Sequence, residues 1–315
     1  MRKALIVGFD NYPSAPLSGC INDAKKISSI LEKNGDGSPN FAIKLITDEK
    51  TIISKAQLRE AIETLFKGYS DVVLLYFSGH GLIKTTGGVI VTPDYVKCDE
   101  GIRMDEILSV ANQSTARDKI VILDCCHSGV FGSLSFSGSN IAQLGEGLTV
   151  LTASGDSESA LEINGSGVFT SLLIDALQGG ASDLRGYISP GSVYSYIDEA
   201  LGPWNQRPIF KTNISRFTSI RKINPPIPLE KLRKLTEYFK TAEEEYKLNP
   251  SYEFTEASAN KENVVIFKDL QKFESVRLVV PVNEEHMYFA AINSKSCKLT
   301  ALGFQYWRLV KENKL

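Results

Sequence analysis

No charge of one sign dominates this chain: 35 Lys and Arg face 37 Asp and Glu over 315 residues, a formal net charge of −2. A balance this near neutral argues against nucleic-acid binding by the chain as a whole. Cysteine is sparse too. The five thiols, Cys20, Cys98, Cys125, Cys126 and Cys297, are odd in number and lack the spacing of a disulfide framework, so a reduced, cytoplasmic setting is expected. No apolar run approaches the length of a membrane span. Met1-Arg2-Lys3 opens as a signal peptide does, but the apolar run from Ala4 to Phe9 is too short and Asp10 interrupts it. What remains is ordinary globular composition, 43% hydrophobic and 23% charged, with length for one large domain and a small one.

The most informative stretch is Lys119-Ile120-Val121-Ile122-Leu123-Asp124-Cys125-Cys126-His127-Ser128-Gly129. Its apolar half reads as a strand buried on both faces, as in a parallel sheet. Reactive groups in such sheets gather beyond the carboxyl ends of the strands. Side chains alternate along a strand end, so Asp124 and Cys126 should share one side while Cys125 points to the other. Cys126 is therefore the expected nucleophile and Cys125 a small core filler. A second run, Asp71-Val72-Val73-Leu74-Leu75-Tyr76-Phe77-Ser78-Gly79-His80-Gly81, has the same design and delivers a histidine held between two glycines. A thiol is largely protonated at neutral pH, and an adjacent imidazole can take its proton. His80 is thus the expected base, with the backbone N–H groups of Gly81 and Cys126 placed to hold an oxyanion.

These two runs resemble the paired catalytic signatures of the caspase-like cysteine peptidases, in particular metacaspases of the prokaryotic, orthocaspase type. Caspases place their histidine about 50 residues ahead of the cysteine. Two further stretches fit the family: Leu17-Ser18-Gly19-Cys20-Ile21-Asn22-Asp23-Ala24 and Gly167-Val168-Phe169-Thr170-Ser171-Leu172-Leu173. The resemblance covers roughly residues 1 to 220. It implies a cysteine endopeptidase in which Asp23 and Asp124 line the specificity pocket and pair with an Arg or Lys before the scissile bond. Two carboxylates in one pocket favour a guanidinium held in two-pronged fashion. Without the resemblance, Asp124 would be read as a helix N-cap or an ion-pair partner. A regulated effector protease of prokaryotic defence or cell death is the setting that relatives of this compact build imply.

Many metacaspases require calcium. Where the family places its acidic ligands this chain has Gly87, Gly88 and Met104, with Asp105 and Glu106 nearby, so no calcium requirement and no other cofactor is expected. A zinc site at Cys125, Cys126 and His127 is disfavoured, because three consecutive residues do not easily converge on one tetrahedral ion. His127 also competes with His80 as the base, but its side chain should point away from that of its chain neighbour.

Strands alternating with helices predict an α/β fold: a caspase-like three-layer αβα sandwich around a mostly parallel six-stranded sheet. The strands fall at 3–9, 42–47, 71–77, 88–92, 119–123 and 148–153, with an edge strand at 208–211. Helices are read at 19–33, 55–66, 104–112, 169–177 and 192–201. Domain boundaries are expected at 1–221 for the peptidase domain, 222–228 for a proline-rich linker and 229–315 for a small α+β module. Leu229 to Tyr246 reads as one charged helix, 266–273 as a second and 300–313 as a third. Met287 to Ile292 and Cys297 to Leu299 read as a hairpin, which suggests a winged-helix-like module. From Ile223 onward 14 basic side chains face 13 acidic ones, weak for a phosphate-binding footprint, so docking of an activating protein partner is favoured over DNA binding.

The segment from Gly129 to Gly147, rich in Gly and Ser, reads as a substrate-cleft loop. It contains neither Lys nor Arg, so a basic specificity would leave Arg216, Arg221 and Lys222 as the available positions for self-cleavage. The remaining alternatives are a catalytically silent peptide-binding relative and a DNA-binding regulator acting through the C-terminal module.

Overall fold

The structure is a computed structural model that describes residues 1–85, 87–125, 143–153, 162–163, 166–202 and 207–315. It divides into two compact units, Met1–Asn224 and Pro225–Leu315.

The first unit runs β1 (Arg2–Gly8), α1 (Cys20–Glu32), β2 (Ala42–Thr47), α2 (Lys55–Phe66), β3 (Val72–Ser78), β4 (Gly81–Lys84), β5 (Gly87–Val96), β6 (Asp99–Arg103), α3 (Met104–Gln113), β7 (Asp118–Asp124) and β8 (Leu148–Thr152). It continues with β9 (Glu162–Ile163), β10 (Ser166–Gly167), α4 (Val168–Asp175), β11 (Tyr187–Ile188), α5 (Pro190–Leu201), β12 (Ile209–Asn213) and β13 (Arg221–Lys222). Six strands form the central sheet in the order β12-β8-β7-β3-β1-β2. All pairings are parallel except that of the edge strand β12, which runs antiparallel to β8. The expectation of a mostly parallel six-stranded sheet holds.

Period-two alternation explains the layering. On β3, Val73, Leu75 and Phe77 face a core shared with Leu58, Ala61, Ile62 and Leu65 of α2 and Ile107 and Ala111 of α3. Leu74 and Tyr76 face the opposite core, shared with Ala24, Ile27 and Leu31 of α1, Leu173 of α4 and Val193 and Ile197 of α5. Every residue of β3 and of β7 is buried. Each large aliphatic side chain removed from water contributes about 1.5–3 kcal/mol, so these two strands anchor the unit. Helix α2 starts where it does because Ser54 and Gln57 cap each other reciprocally.

A second, three-stranded antiparallel sheet, β4-β5-β6, follows directly on His80. The short strand β13 pairs with β11. Gly35 N–H donates to the Lys222 carbonyl at 2.8 Å and Ile223 N–H to the Gly186 carbonyl at 2.8 Å, so residues 221–223 are knitted into the first unit.

The second unit contains α6 (Leu229–Arg233), α7 (Leu235–Tyr238), β14 (Glu245–Lys247), α8 (Lys261–Ser275), β15 (Val279–Val282), α9 (Met287–Ile292), β16 (Ser296–Leu299) and α10 (Ala301–Lys311). Its antiparallel sheet has the order β14-β16-β15. Two expectations fail here. The single helix over 229–246 is broken: Phe239 is extended, and its carbonyl accepts from the Trp307 indole at 2.7 Å instead of from a further helical turn. Met287–Ile292 is a helix and not a hairpin arm, because its buried residues, Met287, Ala290 and Ala291, follow helical spacing. β16 pairs instead with β14 on one side and the Val-Val-Pro-Val strand β15 on the other, so the hairpin expected over 287–299 is not formed, and the winged-helix-like reading of this unit stays an expectation.

Asp269 of α8 organises this unit. Nearly inaccessible to solvent, it accepts from Lys231 at 2.6 Å, Lys234 at 2.9 Å and the Tyr238 hydroxyl at 2.9 Å. Burial opposes its ionisation, but these three donors outweigh it and hold the carboxyl below its usual range.

Candidate active site

Strands β3 and β7 lie side by side with Ser78 opposite Asp124, and the Gly79 N–H donates to the Asp124 carbonyl at 3.3 Å. The chain therefore leaves both strands at one level of the sheet, beyond their carboxyl ends. His80 emerges two residues past β3, and Gly81 follows as the first residue of β4, opposite Ile90. Cys126 comes two residues after Asp124 in the sequence; it, His127 and 129–142 of the expected cleft loop lie outside the described residues. Cys125, the last described residue of this run, is fully buried in the core on the α2 and α3 side. That is the opposite face from Ile120 and Ile122, as alternation requires. Cys297, in the second unit, is a packing thiol: burial pushes its pKa up to about 12.

The imidazole of His80 is oriented from the loop after β1. Its Nε2 lies 2.7 Å from the Ala15 carbonyl oxygen. A carbonyl can only accept, so Nε2 carries the proton and the neutral ring keeps its lone pair on Nδ1. A base with that tautomer takes protons through Nδ1. The Tyr12 ring lies against the imidazole, with centroids 4.5 Å apart.

The two aspartates meet elsewhere at the same sheet edge, around Gly167. Asp23 Oδ2 accepts from the Gly167 N–H at 2.9 Å. A Cβ at position 167 would come within 2.6 Å of Asp124 Oδ2 and 3.6 Å of Asp23 Oδ2, so only glycine fits between the carboxylates. Both aspartates are buried, at 1% and 5% exposure. Asp124 Oδ2 accepts from the Thr170 hydroxyl at 2.6 Å, and the Thr170 and Tyr76 oxygens are also 2.6 Å apart. Thr170 has one proton and gives it to the carboxylate, so Tyr76 is the donor in the second bond. Burial, then the negative charges of Asp124 and Asp23, push the Tyr76 phenol well above its ordinary pKa and keep it a donor. Desolvated carboxylates gathered this closely favour a cation as their neighbour.

The sequence reading named Asp23, Asp124, His80 and Gly81 but missed Tyr12, Ala15, Tyr76 and Thr170. Thr170 and Tyr76 stood inside the motifs themselves: Thr170 lies one helical turn after Gly167, and Tyr76 on β3 pairs with Ile122, two residues before Asp124. Tyr12 and Ala15 sit in a proline-containing loop whose tie to His80 spans more than sixty residues of sequence. Near α3, Asp105 is paired with Arg103, and Glu106 with Arg59 at 2.5 Å. Among the described residues no three His, Cys, Asp or Glu side chains cluster as metal ligands would. No described helix is long and apolar enough to cross a membrane.

Comparison with known proteins gives one consistent result. Residues 1–216, nearly all of the first unit, match the caspase domain. Metacaspase-1A of Neurospora crassa is 31% identical over 156 residues, which cover 41% of this chain and 32% of the relative. Metacaspase-1B of Aspergillus oryzae is 29% identical over 204 residues, covering 56% of this chain and 46% of the relative. The chain thus spans less than half the length of these curated relatives. Among solved structures, caspase-1 of Spodoptera frugiperda superposes with a TM-score of 0.52 at 12% identity, covering 70% of this chain and 90% of that one. A protein of Geobacter sulfurreducens gives 0.53 at 18%, covering 71% and 97%. These two likenesses show the shared fold. A strand-end histidine, two buried acids around Gly167, and a match that spans nearly all of the first unit have one reading: this chain belongs to the caspase-domain family of peptidases.

Proposed function

We propose that this chain is a cysteine endopeptidase that cuts after Arg or Lys with a Cys126–His80 dyad. His80 takes the thiol proton through Nδ1, and the Cys126 thiolate attacks the peptide carbonyl. The oxyanion is held by the backbone N–H groups of Gly81 and Cys126. The imidazolium then protonates the leaving amine, and water activated by His80 hydrolyses the acyl-enzyme. Asp23 and Asp124 receive the cationic side chain before the scissile bond.

The observation that carries this reading is the commitment of His80 Nε2 to the Ala15 carbonyl at 2.7 Å. It leaves a basic nitrogen at the edge where β3 and β7 end together. The buried acid pair supports the basic specificity. The near-neutral second unit is read as a docking module for an activating protein, and the cell setting as a cytoplasmic effector protease of defence or cell death, both on resemblance and charge.

The test is a panel of fluorogenic peptides ending in Arg, Lys or Asp, run with the full chain and with Cys126→Ala. Hydrolysis of the Arg and Lys peptides by the parent alone is expected. A preference for Asp would sink the pocket assignment, and a variant that still cuts would sink the nucleophile.

A further inference from the structure

The backbone of His80 is held on both sides by one small circuit. Its N–H donates to the Tyr12 hydroxyl at 3.0 Å, and its carbonyl accepts from the Val91 N–H at 2.9 Å. The circuit closes because the Tyr12 hydroxyl donates to the Val91 carbonyl at 3.2 Å. Tyr12 is 2% exposed, so no solvent replaces these bonds if the hydroxyl is removed. A Cβ at residue 79 would lie 2.5 Å from the Tyr12 oxygen, so the glycine before the histidine is required by the tyrosine.

The loop that carries Tyr12 is itself rooted. Asp48, buried, accepts from the Asp10 N–H at 3.1 Å and the Asn11 N–H at 2.8 Å. Asp10 in turn accepts from the Cys20 N–H at 2.8 Å, at the start of α1. The Tyr12 N–H and the Leu17 N–H both donate to the Asp10 carbonyl, at 3.0 and 2.8 Å, which sets the curve of the loop and hence where the Ala15 carbonyl points. Three separate supports of His80 therefore arrive on one segment: a hydroxyl on its backbone, a ring on its face and a carbonyl on its Nε2.

From this we infer that Tyr12 is a positioning residue of the reaction, which fixes the place and tautomer of His80 by clamping its peptide group to β5. The inference rests on His80 being the base. Tyr12 touches no reacting atom. Its hydroxyl sets the register of the histidine loop against β5, and that register sets whether Nε2 meets the Ala15 carbonyl. With the clamp lost, the ring turns and part of the population carries its proton on Nδ1, where it cannot accept from a thiol.

The experiment uses the full chain and Tyr12→Phe, Gly79→Ala, His80→Ala and Cys126→Ala. Tyr12→Phe keeps the ring and removes the hydroxyl, whereas Gly79→Ala keeps the phenol and displaces it. Steady-state hydrolysis of an Arg peptide across pH and nitrogen-15 NMR of the three histidines are both recorded, the His80 resonance being assigned by its loss in His80→Ala. Expected are a fall in kcat of about 10- to 100-fold with KM within about twofold, as for a misplaced catalytic group. The neutral His80 ring should pass from wholly Nε2–H in the parent to a mixture of tautomers in both variants. An unchanged kcat and tautomer in Tyr12→Phe, whatever happens to its melting temperature, overturns the inference and leaves the dyad standing. If His80→Ala retains activity, the dyad itself falls, and the clamp with it.

Discussion

Thr170 stands between Tyr76 and Asp124, its hydroxyl accepting from the phenol and donating to the carboxylate at 2.6 Å each. The three side chains are buried, so this relay fixes the direction in which Asp124 presents its oxygens. Replacement by valine keeps the shape and removes both bonds. Each buried bond lost costs about 0.5–3 kcal/mol, most for the one to the carboxylate. Thr170→Val should therefore lower the melting temperature by several degrees, and KM for an Arg peptide should rise more than kcat falls. Thr170→Ser should recover most of both. Equal KM in the parent and the valine variant would dissociate the relay from substrate recognition.

Asp269 yields a prediction about pH. Its carboxyl lies below its usual range in the folded unit, so it stabilises the fold above the unfolded value of about 3.9 and loses that contribution as pH falls through the folded value. Asp269→Asn should flatten the acid limb of the stability curve of the second unit, followed by urea denaturation between about pH 3 and 7. At neutral pH the loss should be about 1–3 kcal/mol, because Lys231 and Lys234 are partly exposed and regain water when their partner changes. A variant with the parent's acid slope would show that the titrating group is another one.

Self-cleavage, if it accompanies activity, should fall after Arg216 and not after Arg221 or Lys222. Arg216 lies exposed between β12 and β13. Arg221 is paired in β13, and its guanidinium donates to the Lys33 carbonyl at 2.9 Å and the Leu177 carbonyl at 2.7 Å. A cleft that takes an extended substrate reaches the exposed loop without unfolding anything. Intact-mass spectrometry during activation reads the product ends directly, and Arg216→Gln should abolish this product. A terminus at Lys222 would mean that the β11–β13 pair opens first.

Much of the first unit was legible because its strands announce themselves. Val72 to Phe77 and Ile120 to Leu123 are apolar on both faces, the pattern of strands in a doubly covered parallel sheet. Asp23 and Asp124 were singled out by their motifs, and the structure brings both against Gly167. Tyr12 was not, since nothing local distinguishes a loop tyrosine that caps a distant peptide group from one that merely packs. In the second unit the two misreadings have separate causes. Met287-Tyr288-Phe289-Ala290-Ala291-Ile292 is too short for apolar periodicity to separate strand from helix. The run Leu232, Leu235, Phe239 keeps helical spacing up to the residue where the Trp307 indole captures the carbonyl, and that tertiary bond is invisible to a local pattern.

The root of the Tyr12 loop on Asp48 has a mechanical corollary. Whatever tugs the opening segment away from its seat, be it a bulky fusion ahead of Met1 or a partner gripping the first turn, would dim hydrolysis without obstructing the cleft. On the proposed mechanism the amino-terminal stretch would then act as a handle on turnover, because the loop it carries rests directly on His80.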